Sequence, residues 1–233
     1  MDFKQKIFCA IDFTEIEKSK RFISKISNSI GGIKIGLEFF SKNGPQGFLE
    51  IKKLGLPIFL DMKLMDIPNT VKNAAKNLIE LNPEYLSVHL SGGYNMLKEL
   101  VTIKKETKIL GVSMLTSLEN KDLKSFGYNL NNFDYVVNLA KIGEKAGVDG
   151  FVSSAQEIPY LKKKIKKKEM LYVTPGIRLS GNKSNDQKRI ITPSQAIKLG
   201  SSMLIIGRSI TQSEDPVKAI EKIINEIEEN FEN

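Results

Sequence analysis

The chain has 233 residues, 41% of them apolar, enough to bury a full core in one large domain or two small ones. A single cysteine, Cys9, excludes an internal disulfide and a cysteine metal cluster. The formal net charge of +8 would suit a polyanionic partner, but the lysines are spread over nearly every expected helix. Only Lys162 to Lys168 (KKKIKKK) forms a block, and a solvated helix end explains it. No uncharged apolar span reaches the roughly 18 residues of a membrane crossing. The N-terminus MDFKQKIFCAIDF carries only a short apolar run, so a soluble, cytoplasmic protein is expected, with neither membrane nor nucleic acid as partner.

In chain order, Ile7 to Ile11 reads as a short buried strand ending at Asp12. Thr14 is the expected cap of a helix carrying Ile16, Phe22, Ile23 and Ile26. Gly32 to Gly36 is a second strand with Lys34 near its end, and a helix through Phe48 to Leu54 leads to a third strand that opens with Ile58 to Leu60. The next helix spans Asn69 to Leu81, so strand and helix already alternate by residue 80. A strand at Tyr85 to Leu90 holds the lone histidine, His89. A helix around Met96 to Ile103 follows, then a strand at Lys108 to Met114 that ends in Leu115-Thr116-Ser117. The polar stretch Glu119 to Asn132 precedes a helix around Tyr135 to Ala146. Strands at Asp149 to Ser153, Met170 to Thr174 and Ser202 to Ile206 complete the series, and Asp215-Pro216 starts an amphipathic final helix.

Eight strand–helix units in this length point to a closed (β/α)8 TIM barrel, one domain over residues 1–233. An open doubly wound sheet fits less well. Asp12, Lys34, Asp61, Lys63, His89, Thr116, Thr174 and Arg208 fall at or just past successive strand ends, which in a barrel form one circular rim.

The stretch richest in chemistry is PIFLDMKLMDIPNTV, Pro57 to Val71. It places Asp61, Lys63 and Asp66 within six positions after an apolar run, and strand alternation puts Asp61 and Lys63 on one side. Opposite charges nearby favour the ammonium form. Lys63 therefore reads as a poised proton donor rather than an amine nucleophile, which argues against Schiff-base chemistry. An isolated D-x-K would read as an ion pair closing one end of a sheet; the second acid and the anion site described next favour chemistry.

Arginine is scarce, four residues in all, yet Arg178, Arg189 and Arg208 fall within 31 residues. Its fixed fork of donors suits phosphate. Thr174-Pro175-Gly176-Ile177-Arg178 and Gly207-Arg208-Ser209-Ile210-Thr211 follow the seventh and eighth strands, between which barrels often bind phosphate. The polar loop Leu179 to Ile191 reads as a lid over that site, with Gln187 able to reach the same anion.

Together these residues resemble the orotidine 5′-phosphate decarboxylase family over most of the chain. D-x-K-x-x-D-I-P-N-T-V is present at Asp61 to Val71, with TPGIR at 174–178, DQKR at 186–189 and GRSIT at 207–211. Met65 departs from the pattern, since many bacterial members carry histidine there. The resemblance implies conversion of orotidine 5′-phosphate to uridine 5′-phosphate in de novo pyrimidine biosynthesis, without a cofactor. It implies Lys63 as the group that protonates C6, Asp61 and Asp66 as its holders, and Lys34 as a further member of a Lys-Asp-Lys-Asp array. Asp12 and Lys34 would contact the ribose, Thr116 the pyrimidine, and Arg178, Gln187, Gly207 and Arg208 the phosphate. It also implies a homodimer in which Asp66, Ile67 and Thr70 enter the partner's site.

Hexulose-phosphate synthases and keto-gulonate-phosphate decarboxylases share D-x-K-x-x-D but work through a magnesium-stabilised enediolate, with a glutamate ligand at the end of strand two. This chain has Lys34 in that strand, and a cation there argues against bound magnesium. A nucleic-acid-binding role lacks any aromatic stacking pattern.

Overall fold

Apolar runs bounded by turn residues form the strands of a closed barrel. The computed structural model describes residues 2–178 and 191–231; the segment on which the expected lid, Gln187 and Arg189 fall lies outside the described residues. The strands are β1 (Ile7–Ile11), β2 (Gly32–Gly36), β3 (Ile58–Leu64), β4 (Tyr85–His89), β5 (Lys108–Val112), β6 (Gly150–Val152), β7 (Leu171–Thr174) and β8 (Met203–Ile206). All pair in parallel in sequence order, and β8 closes onto β1 with Ile7 opposite Leu204 and Cys9 opposite Ile206. The helices that return the chain begin with α1 (Ile16–Ile26), α2 (Leu37–Lys52), α3 (Pro68–Glu80) and α4 (Gly93–Val101). They continue with α5 (Asn120–Ser125), α6 (Asn132–Ala146), α7 (Ile158–Lys164), α8 (Pro193–Lys198), α9 (Arg208–Thr211) and α10 (Pro216–Phe231).

Alternation along each strand divides the core into two layers. Phe8 and Ala10 of β1 join Phe59, Leu110, Val173 and Met203 inside the barrel. Ile7, Cys9 and Ile11 instead pack in the outer layer with Ile23 and Ile26 of α1 and Ile220 and Ile223 of α10. Burial of each such large side chain contributes roughly 1.5–3 kcal/mol. Near the N-terminal ends of the strands Tyr85 meets Phe8 edge-on with ring centroids 5.7 Å apart, and Phe59 at 6.4 Å. That end of the barrel is therefore solid, and open space lies at the other end.

The local signals act much as their chemistry requires. Pro68 starts α3 at the position where a missing N–H costs nothing. Asn131 caps α6 by accepting the Asp134 N–H at 2.9 Å, and Gly147 ends it in the left-handed conformation. Two of these local expectations, for Thr14 and Thr174, need correcting, and one stretch holds more than was expected. Thr14 does not cap α1: the cap position is Glu15, without a side-chain bond, and the Thr14 carbonyl accepts from Asn43 Nδ2 at 2.9 Å. The polar stretch 119–132 contains α5, started by a reciprocal box between Glu119 and Asp122. Thr174 turns away from the rim and bonds Ser201 in the interior. The lysine block ends α7, and the Lys166 and Lys167 amides donate to Glu144 Oε1 at 2.6 and 2.7 Å, so a carboxylate of α6 secures it. Among the described residues no helix is long and apolar enough to cross a membrane.

Candidate active site

β3 begins as a regular buried strand and ends irregularly. Its pairing with β4 shifts register between Leu60 and Leu64, and Lys63 has φ 49°. A non-glycine residue in that left-handed region costs roughly 1–2 kcal/mol and persists only where its surroundings hold it. Plain alternation therefore does not carry through 61–63. It is from this bent backbone that Lys63 Nζ reaches to 2.6 Å from Asp61 Oδ2. Ser87 of β4 receives the displaced chain: its Oγ accepts the Lys63 N–H at 2.8 Å and donates to Asp61 Oδ1 at 2.8 Å.

Lys34 of β2 places its ammonium 3.7 Å from Asp61 Oδ2 and 4.0 Å from Asp12 Oδ1. The charges thus alternate Asp12, Lys34, Asp61, Lys63. Burial by itself would push the Asp61 carboxyl up, but the Lys34 and Lys63 charges and the Lys63 and Ser87 hydrogen bonds outweigh it and hold it below the usual carboxylate range. His89, one strand over, is pushed down by burial and then by Lys63, which keeps its imidazole neutral at pH 7. Space around Lys34 comes from a missing side chain: a methyl on Gly36 would lie 2.8 Å from its Nζ.

The loops after β7 and β8 bring cationic and bare backbone groups to the same rim. Gly176 has φ 80°, a conformation only glycine takes without strain. The Arg178 N–H donates to the Ile191 carbonyl at 3.0 Å and the Ile191 N–H to the Gly176 carbonyl at 3.3 Å, tying the two sides of that loop together at its base. Arg178 Nη1 donates to the Ile177 carbonyl at 2.8 Å. A Cβ on Gly207 would meet Ala10 at 3.4 Å and Asp12 at 3.6 Å, ordinary contacts, so packing does not demand glycine there. Its bareness leaves backbone open towards the cavity, beside Arg208 at the start of α9.

One cavity of about 610 Å³ joins these groups, within the range of small-molecule sites. Ala10, Phe59, Val112, Val152 and Ile205 line it with apolar side chains. Asp12, Lys34, Asp61 and Lys63 bring charge, Thr116 follows β5, and Arg178, Gly207 and Arg208 come from the last two strand ends. Asp66, Ile67 and Thr70 do not join them. Asp66 Oδ1 accepts the Ile67 N–H at 2.7 Å, and all three residues are exposed, Ile67 at 67%. Among the described residues of one chain Lys63 therefore has one acid beside it, Asp61, rather than the two expected. Sequence reasoning missed Glu38, in the first turn of α2 at the cavity, and Ser87, buried against Asp61 and the Lys63 amide. The signal for Ser87 was a hydroxyl in an otherwise apolar strand, two residues before His89.

A family model described as orotidine 5′-phosphate decarboxylase / HUMPS family matches residues 5–223. An orotidine 5′-phosphate decarboxylase of Erythrobacter litoralis is 43% identical over 218 residues, 93% of this chain and 96% of the relative. One from Coxiella burnetii is 40% identical, covering 95% and 96%. Among solved structures, orotidine 5′-phosphate decarboxylase from Lactobacillus acidophilus superimposes with a TM-score of 0.82 at 33% identity, covering 95% of this chain and 98% of the other.

Proposed function

The chain belongs to the orotidine 5′-phosphate decarboxylase / HUMPS family, and from that premise we propose that it decarboxylates orotidine 5′-phosphate to uridine 5′-phosphate in pyrimidine biosynthesis. The observation that carries this reading is the alternating array Asp12, Lys34, Asp61, Lys63 in one cavity with Arg178, Gly207 and Arg208. One end offers a proton and fixed charge, the other a grip for a phosphomonoester.

In the proposed reaction the bond from C6 to the carboxylate breaks, carbon dioxide leaves, and the electron pair remains on C6. Lys63 Nζ delivers its proton to that carbon and recovers one from solvent. No imine absorbs the developing charge, so a fixed ammonium must stabilise it. Asp61, kept ionised by its neighbours, holds that ammonium and faces the departing carboxylate. Asp12 and Lys34 hold the ribose and Thr116 reads the pyrimidine. Arg178, Gly207 and Arg208, joined by Gln187, clasp the phosphate. Binding energy gained there is expressed as rate through alignment of the reacting end.

The working unit in this reading is a cytoplasmic homodimer. Exposed Asp66, Ile67 and Thr70 reach across to complete the neighbouring site, and the exposed apolar Met65 and Ile67 beside them suit an interface better than water. The deciding experiment follows orotidylate absorbance on adding purified protein in metal-free buffer, with and without chelator. Loss of absorbance unaffected by chelator is expected; no loss, or loss that requires added magnesium, would overturn the reading.

A further inference from the structure

We infer that Ser87 is a positioning residue for the reaction: through one hydroxyl it fixes both the bent backbone of Lys63 and the orientation of the Asp61 carboxylate. The inference rests on the functional reading above.

Three observations meet at this side chain. First, β3 leaves the register of its ladder with β4 between Leu60 and Leu64, so the Lys63 amide needs an acceptor other than a regular strand partner. Ser87 Oγ supplies it at 2.8 Å. Second, the same hydroxyl hydrogen is directed to Asp61 Oδ1 at 2.8 Å. Asp61 Oδ2 is left to face Lys63 at 2.6 Å and Lys34 at 3.7 Å. Third, Ser87 is fully buried, so water cannot replace either bond without entering the wall.

A hydroxyl can donate one bond and accept another at the same atom. That dual capacity links the main chain of the proton donor to the side chain of its holder. With both carboxylate oxygens engaged, the carboxylate cannot rotate, and the ammonium bonded to Oδ2 keeps its place at the cavity wall. The left-handed conformation of Lys63 is likewise held by the only backbone donor it has. An alanine at 87 would leave the Lys63 amide without its acceptor and Asp61 Oδ1 without its donor, loosening both ends of the pair at once. The Ser87 bond also helps to keep the Asp61 carboxyl low, so its removal raises the pH at which Asp61 takes up a proton.

The test compares wild type with Ser87→Ala and with the near-isosteric pair Ser87→Thr and Ser87→Val, which differ only in a hydroxyl against a methyl group. Each protein is assayed for kcat and KM on orotidine 5′-phosphate across pH, and the Asp61 carboxyl carbon is titrated by NMR. A misplaced donor should lower kcat about tenfold or more in the Ala and Val proteins. KM should stay within about threefold, because phosphate recognition lies elsewhere in the cavity. The acid limb of kcat and the Asp61 titration should both move to higher pH in the Ala and Val proteins, while Ser87→Thr, whatever its extra methyl costs in packing, should keep a higher kcat than Ser87→Val and an Asp61 titration near wild type. Unchanged kcat in Ser87→Ala, or equal loss in the Thr and Val proteins with an unmoved Asp61 titration, would overturn the inference. A wild-type protein that fails to consume orotidylate would instead sink the functional reading, and the carbon titration would still report on Ser87.

Discussion

Two lysine–aspartate pairs sit at opposite ends of this barrel, and they are built for different ends. Where β5 and β6 begin, Lys104 pairs with Asp149, and the second oxygen of Asp149 accepts the Ile109 N–H at 2.8 Å. One cation and one amide satisfy one carboxylate, and both strands keep a regular register. Where β3 ends, Asp61 faces two ammonium groups and a hydroxyl, on a strand that has slipped its ladder. Lys34 is shared in turn with Asp12, so the charges form a run of four rather than a closed pair, and that run borders open volume. The lower pair is complete in two residues and an amide; the upper array runs along a cavity wall, where its outer members still face open volume.

Substituting the lysines should separate the two kinds of pair most sharply. Lys63→Ala removes the proton donor and should reduce turnover by roughly a thousandfold. Uridine 5′-phosphate should still bind within several-fold of wild type, measured by calorimetry, since its phosphate contacts are untouched. Appreciable remaining turnover would make the upper pair a structural one like the lower.

A smaller, partial effect bears on the acid missing beside Lys63. Inactive Lys63→Ala and Asp66→Ala subunits, allowed to exchange, should form hybrids with one intact site and regain a measurable share of activity. If exchange is demonstrated by mass spectrometry and nothing returns, the partner subunit's Asp66 does not complete the array.

The mildest change belongs to the lower pair. Asp149→Ala leaves the Ile109 amide and the Lys104 ammonium without their acceptor and should cost about 1–3 kcal/mol in denaturant unfolding. Turnover per folded molecule should be unaltered. A fall in kcat with no loss of stability would erase the contrast between the two ends.

Much of this was legible in the chain. The strand at Ile7 to Ile11 and the one at Gly32 to Gly36 have the bounds their apolar runs predict, β3 begins at Ile58 where its run does, and the five that follow differ by a residue or two at an end, because strands buried on both faces announce themselves. Polar residues at their ends pointed to one rim, and Asp12, Lys34, Asp61, Lys63, Arg178 and Arg208 do line one cavity. What escaped was set by tertiary context. Strand alternation gave a tidy reason for Asp61 and Lys63 to meet, whereas a left-handed residue and a register shift bring it about, and neither has a local sequence sign. Ser87 reads as a small core residue until its neighbour on β3 is known. Thr174 has the spacing of a rim residue, yet Ser201, 27 positions later, draws it into the interior.

The bare backbone at Gly36 carries a consequence for how this protein would tolerate change. The atom that a methyl group would strike is the tip of a long, flexible side chain, so the fold could absorb an alanine by letting Lys34 swing aside. A screen that rewards only soluble, heat-resistant protein would pass such a variant without comment. The injury would be confined to the spacing of charges at the mouth of the barrel, which makes position 36 a place where drift could silence the enzyme while leaving its shape intact.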